Sequence, residues 1–220
     1  MGKNKKKKFA ELEVLDNVIQ PGLEMLQQEL PQRGKWSAML FKNDKPIVLE
    51  LGCGKGEYSL ALAQRYPEKN FLGIDLKGAR IWSGAKHAVQ QGIANVAFLR
   101  APIELIENVF APGEVDEIWI TFPDPQIKLR RTKHRLTNPS FLARYRKILK
   151  PGGIVHLKTD SEFLHGYTMA LLEMGQGKLN YANHDIYSIP DLPEILSIKT
   201  AYEKLFLKEG KAITYLSFTF

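Results

Sequence analysis

Ile47-Val48-Leu49-Glu50-Leu51-Gly52-Cys53-Gly54-Lys55-Gly56 decides how the chain is read. Its first half is a short apolar run, as expected of a strand buried on both faces of a parallel sheet. Glycines then recur at 52, 54 and 56, and apolar residues resume in a helical setting at Leu60, Ala61, Leu62 and Ala63. Strand, glycine loop, helix is the shape of a nucleotide site. Glycines admit a ligand close to the backbone, and the helix N-terminus offers free N–H groups. Two ligand classes suit that shape. A dinucleotide fingerprint needs Gly-x-Gly-x-x-Gly. Counted from Gly52, the third place falls on Glu57, and Gly56 comes one residue early. Glu50 stands two residues before the first glycine. A carboxylate there suits a cationic amino group better than an anionic pyrophosphate. A tight turn with no ligand would need neither three alternating glycines nor the acid.

Beyond the loop the pattern alternates. Arg65-Tyr66-Pro67 ends the first helix. Residues 71–75, 95–99, 116–122 and 154–158 read as further strands. Residues 77–91, 103–110 and 141–149 read as helices, the last stopped by Lys150-Pro151-Gly152-Gly153. This alternation predicts an α/β fold, a mostly parallel central sheet with helices on both faces. Residues 163–174 read as a helix, and 175–199, with Pro190 and Pro193, as a mobile segment. Residues 212–220 are strand-like and are expected to form an antiparallel C-terminal edge strand. Ligands bind at the carboxyl ends of parallel strands. Glu50, Asp75, Asp124 and Asp160 all fall at such ends or just past them. Asp75 lies 23 residues beyond Gly52, where an acid accepts hydrogen bonds from nucleotide ribose hydroxyls. A helix N-cap is the alternative reading of Asp75.

Toward the N-terminus, Lys3 to Lys8 is nearly all lysine, a self-repelling block, and residues 1–8 are expected to be a disordered basic tail. Residues 9–220 read as a single domain, with 9–45 a helical extension. Phe9, Leu12, Leu15, Val18 and Ile19 are spaced for one helix face, stopped by Pro21-Gly22. Trp36, Met39 and Leu40 repeat a helical spacing, and Asn43-Asp44-Lys45-Pro46 is a turn signal. The 220 residues suffice for one large core. Lys and Arg total 31 against 24 acids, a net charge of +7, which favours an anionic partner such as nucleic acid. The single cysteine, Cys53, excludes an internal disulfide and a cysteine-built zinc site, and it fits a reducing, cytoplasmic setting. No apolar stretch approaches the ~18 residues of a membrane span, and no metal site is visible.

Pro123-Asp124-Pro125 follows the fourth strand, and two prolines fix the backbone around one carboxylate. Lys128, Arg130, Arg131, Lys133, His134 and Arg135 come next. A basic run is ordinarily a solvated face. One hanging beside a cofactor site suits phosphate contacts.

These motifs resemble known proteins. Glu-x-Gly-x-Gly-x-Gly from Glu50 resembles motif I of S-adenosylmethionine-dependent methyltransferases of the Rossmann-like class I fold. Phe122-Pro123-Asp124-Pro125, Lys128 and the run ending in Arg135-Leu136-Thr137 resemble the signature of bacterial tRNA (guanine-N7-)-methyltransferases. Lys158-Thr159-Asp160 and Thr200-Ala201-Tyr202-Glu203 match that family in the same order. The resemblance implies methyl transfer from S-adenosylmethionine to N7 of the variable-loop guanosine (guanine-46) of tRNA. It implies that Glu50, with Gly52, Gly54 and Gly56, holds the methionine end of the cofactor and Asp75 the ribose. Asp124 is implied to be the active-site acid, also beside the cofactor. Pro102 falls at the adenine end, where the family usually carries an acid; Glu104 is the candidate substitute. Lys128, Asp160, Thr200, Ala201, Tyr202 and Glu203 are implied to bind the substrate nucleotide. Arg130, Arg131, Thr132, Lys133, His134 and Arg135 are implied to contact RNA. Gln126 and Ile127 depart from the usual aromatic and proline, and Ala201 and Tyr202 from the usual lysine and phenylalanine. The rival readings are a methyltransferase acting on another RNA or base, and a catalytically silent RNA-binding protein. A dehydrogenase is disfavoured by Glu50 and the glycine spacing.

Overall fold

The computed structural model describes residues 2–220, with side chains from residue 6 onward. Strand β2 (Ile47–Leu51) is buried at every position, so it takes the centre of the sheet. It pairs in parallel with β3 (Asn70–Asp75) on one side and β5 (Val115–Thr121) on the other. β4 (Val96–Arg100) and β1 (Val18–Ile19) extend the β3 side, and β6 (Leu149–Thr159), β8 (Thr214–Thr219) and β7 (Lys178–Asn183) extend the β5 side. Only β8 runs against the others. Side chains alternate between the two faces of each strand. Val48, Phe71, Phe98 and Trp119 enter one core, with helices α3 (Glu57–Arg65) and α4 (Gly78–Gln90) over them. Leu49, Leu72, Leu99 and Ile120 enter the other with Leu26 of α2 (Leu23–Leu26), beneath α5 (Ile106–Val109), α6 (Pro139–Ile148) and α7 (Glu162–Leu171). The chain turns toward β3 and β4 after β2, then crosses to β5 and β6. The resulting crevice lies at the carboxyl ends of β2 and β5.

Four expectations are corrected. The lysine block lies in a helix, α1 (Gly2–Leu12), rather than a disordered tail; residue 1 of that tail lies outside the described residues. The far end of α1 anchors it. Leu12 is buried, and the Glu11 carboxylate accepts from Trp82 Nε1 at 2.8 Å and Lys86 Nζ at 3.0 Å on α4. Val18 and Ile19 do not continue that helix. They pair as β1 with Phe98 and Leu99, supplying the partner that the edge of β4 would otherwise lack. The C-terminal strand is antiparallel, as expected, but it is not the edge. It is inserted between β6 and β7. The edge strand, β7, comes from the segment expected to be mobile, which also holds the short helix α8 (Glu194–Ser197). Most of β7 is exposed, so the alternation that betrays a half-buried strand is weak there.

Gly84 on α4 sits where a Cβ would stand 2.5 Å from the Lys55 carbonyl oxygen and 2.9 Å from the Phe98 ring. Gly166, on exposed α7 surface, would meet nothing within 4 Å. Gly84→Ala is therefore expected to cost about 1–3 kcal/mol in urea unfolding. Gly166→Ala is expected to gain about 0.5–1 kcal/mol. Equal effects from the two would mean that α4 is not held against the glycine loop.

Candidate active site

The glycine loop is tied to the neighbouring strand before any ligand is considered. Gly52 N and Cys53 N both donate to Ile74 O, at 2.8 and 3.1 Å. Gly54 N donates to Asp75 Oδ2 at 3.0 Å, and Lys77 N to Asp75 Oδ1 at 2.7 Å. Asp75 thus braces the loop and the start of α4 together.

Glu50 is buried in the crevice wall. Ser59 N (2.9 Å) and Ser59 Oγ (2.5 Å) donate to one carboxylate oxygen, and Thr121 Oγ1 (2.6 Å) to the other. One side chain therefore joins β2, α3 and β5. Burial pushes the carboxyl from the ordinary 4.5 up to about 7; the Ser59 and Thr121 hydrogen bonds oppose this, and the nearby Asp75 charge adds to it. A cationic group arriving beside Glu50 would reverse that cost.

A cleft of about 320 Å³ opens over this wall. Glu50, Gly52, Gly54, Thr121 and Phe122 line its floor, and Thr200, Ala201 and Tyr202 its far side. The last three begin helix α9 (Ala201–Lys208), capped by Thr200 Oγ1 accepting from Glu203 N at 3.2 Å. The cleft thus gathers residues about 150 positions apart in the chain. Asp75, Pro102, Asp124, Lys128 and Asp160 do not line it. Pro102 is half-buried at the start of the turn 103–105, and Glu104 is exposed. Asp160 accepts from Lys211 at 3.3 Å.

Asp124 projects from a strained loop. Phe122, immediately before Pro123, has φ 47°, and Gln126 has φ 48°, both unusual for side-chain-bearing residues. The loop is held at Gln126. Gln126 N donates to Asp124 Oδ1 (3.0 Å), and Arg131 Nε donates to Gln126 Oε1 (2.8 Å). Arg135 donates to the backbone oxygens of Gln126 and Ile127. Arg135 is buried and stacks over Phe163 and Tyr167. It secures the loop from inside, and the RNA contact expected of it is corrected. Arg130, Arg131, Lys133 and His134 remain exposed on the helical turn Leu129–His134, with Thr132 half-buried.

The substrate contact expected of Glu203 is corrected as well. Glu203 is fully buried, and its Oε1 is 2.7 Å from the equally buried Lys158 Nζ and accepts from Tyr187 O–H at 2.6 Å. Lys158 Nζ also donates to Leu196 O and Ile198 O, at 2.7 and 2.9 Å. Burial lowers the Lys158 ammonium, and Glu203 holds it up. The pair fastens the segment that carries Thr200 onto β6. Ser59, Thr121, Glu57 and Arg80 were not foreseen at the site. Ser59 and Thr121 are ordinary hydroxyls in sequence. Glu57 entered only as the residue displacing a third glycine, and nothing in α4 marks Arg80.

A family described as "Putative methyltransferase" matches residues 44–216. A curated tRNA (guanine-N(7)-)-methyltransferase of Christiangramia forsetii is 59% identical, over 98% of this chain and 97% of that protein. The chain belongs to the tRNA (guanine-N7-)-methyltransferase family. A more distant relative of the same name, from Cytophaga hutchinsonii, is 40% identical over 100% of this chain and 99% of its own. Among solved structures, the 16S rRNA methyltransferase KamB is similar in fold, with a TM-score of 0.61 at 15% identity over 80% of this chain and 87% of its own. Among the described residues, no group of three or more His, Cys, Asp or Glu is placed to hold a metal ion, and no helix is long and apolar enough to cross a membrane.

Two tests follow from the buried charges. Because the folded Glu50 carboxyl holds its proton up to about 7, its contribution to stability is present below about pH 4.5 and lost as pH rises through about 7. The free energy of unfolding of Glu50→Gln, minus that of wild type, should rise between about pH 5 and pH 8, by up to roughly 3 kcal/mol. Parallel pH profiles would show that the ionised carboxylate is well solvated. Glu203→Ala should cost about 3–5 kcal/mol in urea unfolding, since it strands the Lys158 charge, and adding Lys158→Met should recover much of the loss. Additive losses would mean the two groups do not act as a pair.

Proposed function

We infer that the protein transfers a methyl group to N7 of the variable-loop guanosine of tRNA. The reading is carried by near-full-length similarity to proteins of that name, combined with a cleft at the switch point that has a buried acid in its wall. The methyl donor is S-adenosylmethionine, which supplies an electrophilic methyl on a sulfonium centre. Glu50 suits the cationic amino end of such a donor, because its carboxylate is already oriented by Ser59 and Thr121 and lacks only a positive partner. Gly52 and Gly54 leave backbone room at the loop. Asp75, at the carboxyl end of β3, is the acid assigned to the ribose hydroxyls, from which it would accept beside the Gly54 and Lys77 N–H groups already on its two oxygens.

Guanine N7 has an in-plane lone pair and no proton, so methylation there needs no general base. The residues have to hold the base in line and exclude alternatives; orientation of this kind is worth roughly 7–11 kcal/mol at most. Asp124 is the residue assigned to the guanine. It is exposed on a loop with little backbone freedom, and among the described residues its Oδ2 has no hydrogen-bond partner. A carboxylate there accepts from guanine N1–H and the exocyclic amine. It also offsets the positive charge that develops as N7 is alkylated. Tyr202, exposed at the cleft mouth and stacked near Phe206, offers a ring face to a base withdrawn from its own stack.

Nucleoside mass analysis of unmodified tRNA, incubated with the protein and S-adenosylmethionine, should show 7-methylguanosine. Asp124→Ala should fold normally and lose at least 100-fold in turnover, on the order expected for one electrostatic contact. A different methylated base would overturn the substrate assignment, and near-normal turnover in the variant would remove Asp124 from its role.

A further inference from the structure

A second concavity, about 690 Å³, runs between α3, α4 and the start of α9. It is continuous with the cleft, for Lys55, Glu57 and Ala201 line both. Lys55, Lys86, His87, Lys199 and Lys204 line the trough, and Glu57 is its one carboxylate. That carboxylate already accepts from Ala201 N. Lys55, Lys199 and Lys204 are exposed, and among the described residues none lies within ion-pair distance of an acid. Trp82 presents a half-buried ring at the same trough, with Lys86 Nζ 5.0 Å and, from α1, Lys8 Nζ 4.5 Å from its centroid. The lysine-rich helix α1 therefore borders the groove.

We propose that this trough is a phosphate track for the RNA strand on one side of the target nucleotide. Lys55, Lys199 and Lys204 take backbone phosphates, while the exposed turn Leu129–His134 takes those on the other side. The proposal rests on the reading of the chain as a tRNA-modifying enzyme. Its chemistry favours a strand over a small anion. The ammonium groups of Lys55, Lys199 and Lys204 are exposed along an open groove, and among the described residues no buried side-chain donor lines it. Lysines on flexible stems serve as point charges that read no sequence. A target base in the cleft needs its two flanking backbone segments led away in different directions; the trough leaves the cleft past Lys55, Glu57 and Ala201, and the turn follows Phe122 and Asp124 after β5.

Counterion release makes the claim measurable. Each lost phosphate contact lowers the slope of log K against log salt by about 0.7–0.9. The double substitution Lys199→Gln with Lys204→Gln should lower the tRNA slope by about 1.4–1.8 and weaken binding on the order of thirty-fold near 0.1 M salt. KM for tRNA should rise with kcat at saturation unchanged, and S-adenosylmethionine binding should be unaffected. Lys199→Arg with Lys204→Arg should restore the slope. Lys42→Gln with Lys178→Gln removes the same charge at the amino ends of the strands and should leave the slope alone. An unchanged slope in the first variant, or an equal drop in the control, overturns the track. Wild-type protein that forms no 7-methylguanosine yet shows the groove-dependent slope overturns the substrate reading and leaves the track standing.

Discussion

The ring of Phe98 sets the geometry on which the cleft depends. Three glycines from three elements converge on it. A Cβ at Gly56, Gly73 or Gly84 would lie 2.3, 2.8 or 2.9 Å from its atoms. The first opens α3, the second sits in β3 and the third lies on α4, so one buried ring holds two helices and a strand at closer range than side chains allow. Gly56 also has φ 72°, and its place one residue early against a dinucleotide fingerprint has a packing cause. It admits Phe98. The glycines available to a ligand are Gly52 and Gly54, whose φ values are positive and whose Cβ positions meet nothing nearer than 3.7 Å. The motif thus serves two masters, the ring beneath the loop and the space above it.

The far wall of the cleft depends on a different constraint. A buried ion pair is costly unless its remaining hydrogen-bonding capacity is met. The Lys158 ammonium has three donors, and it has three partners: Leu196 O, Ile198 O and Glu203. Each lies on the segment that follows β7, so Lys158 fastens that segment along its length. Tyr58, on α3, donates to Ile195 O at 2.8 Å, and the Glu57–Ala201 hydrogen bond ties the start of α3 to the start of α9. The segment is thereby held to the same helix that the glycine loop opens. Donor site and substrate wall share one scaffold element.

This separation explains what could be read from the sequence. Local patterns gave the parallel body, since β2, β3, β4 and β5 are buried runs beside glycines, and the loop after β2 marked one end of the site. Glu50 and the Thr200 segment both line the cleft. What failed was anything decided by a distant partner. Arg135 and Glu203 are charged residues in motif-like runs, and nothing local distinguishes a surface charge from one turned inward. Phe163 with Tyr167 in one case, and Lys158 in the other, decide the matter from elsewhere in the fold. β1 and β7 were missed for a related reason. Each is short or exposed, and each is defined by the strand it pairs with more than by its own periodicity.

The charge of +7 is not spread evenly, and its arrangement meets a conflict that any enzyme of this chemistry faces. A cationic donor and a base that becomes cationic both call for carboxylates at the reaction centre. The RNA that carries the base is a polyanion, which those carboxylates repel. Here Glu50, Asp75 and Asp124 are confined to the ends of strands or the turn just after one, and Glu50 is almost fully buried in the cleft wall. Lys55 and Arg80 reach the cleft, while Lys86 on α4, Lys204 and Lys208 on α9, and Arg130, Arg131 and Lys133 on the turn Leu129–His134 stand outside it. Salt screens exposed charges from one another beyond about 8–10 Å under physiological conditions, so a phosphate held at these outer surfaces is governed mainly by its nearest lysines, while the base, reaching inward, meets the acids. Glu50 sharpens the separation. Its burial raises its proton affinity, so without a cationic partner the wall carries only part of the negative charge that would oppose an approaching strand. The same desolvation makes the carboxylate most favourable to ionise when a positive group arrives beside it.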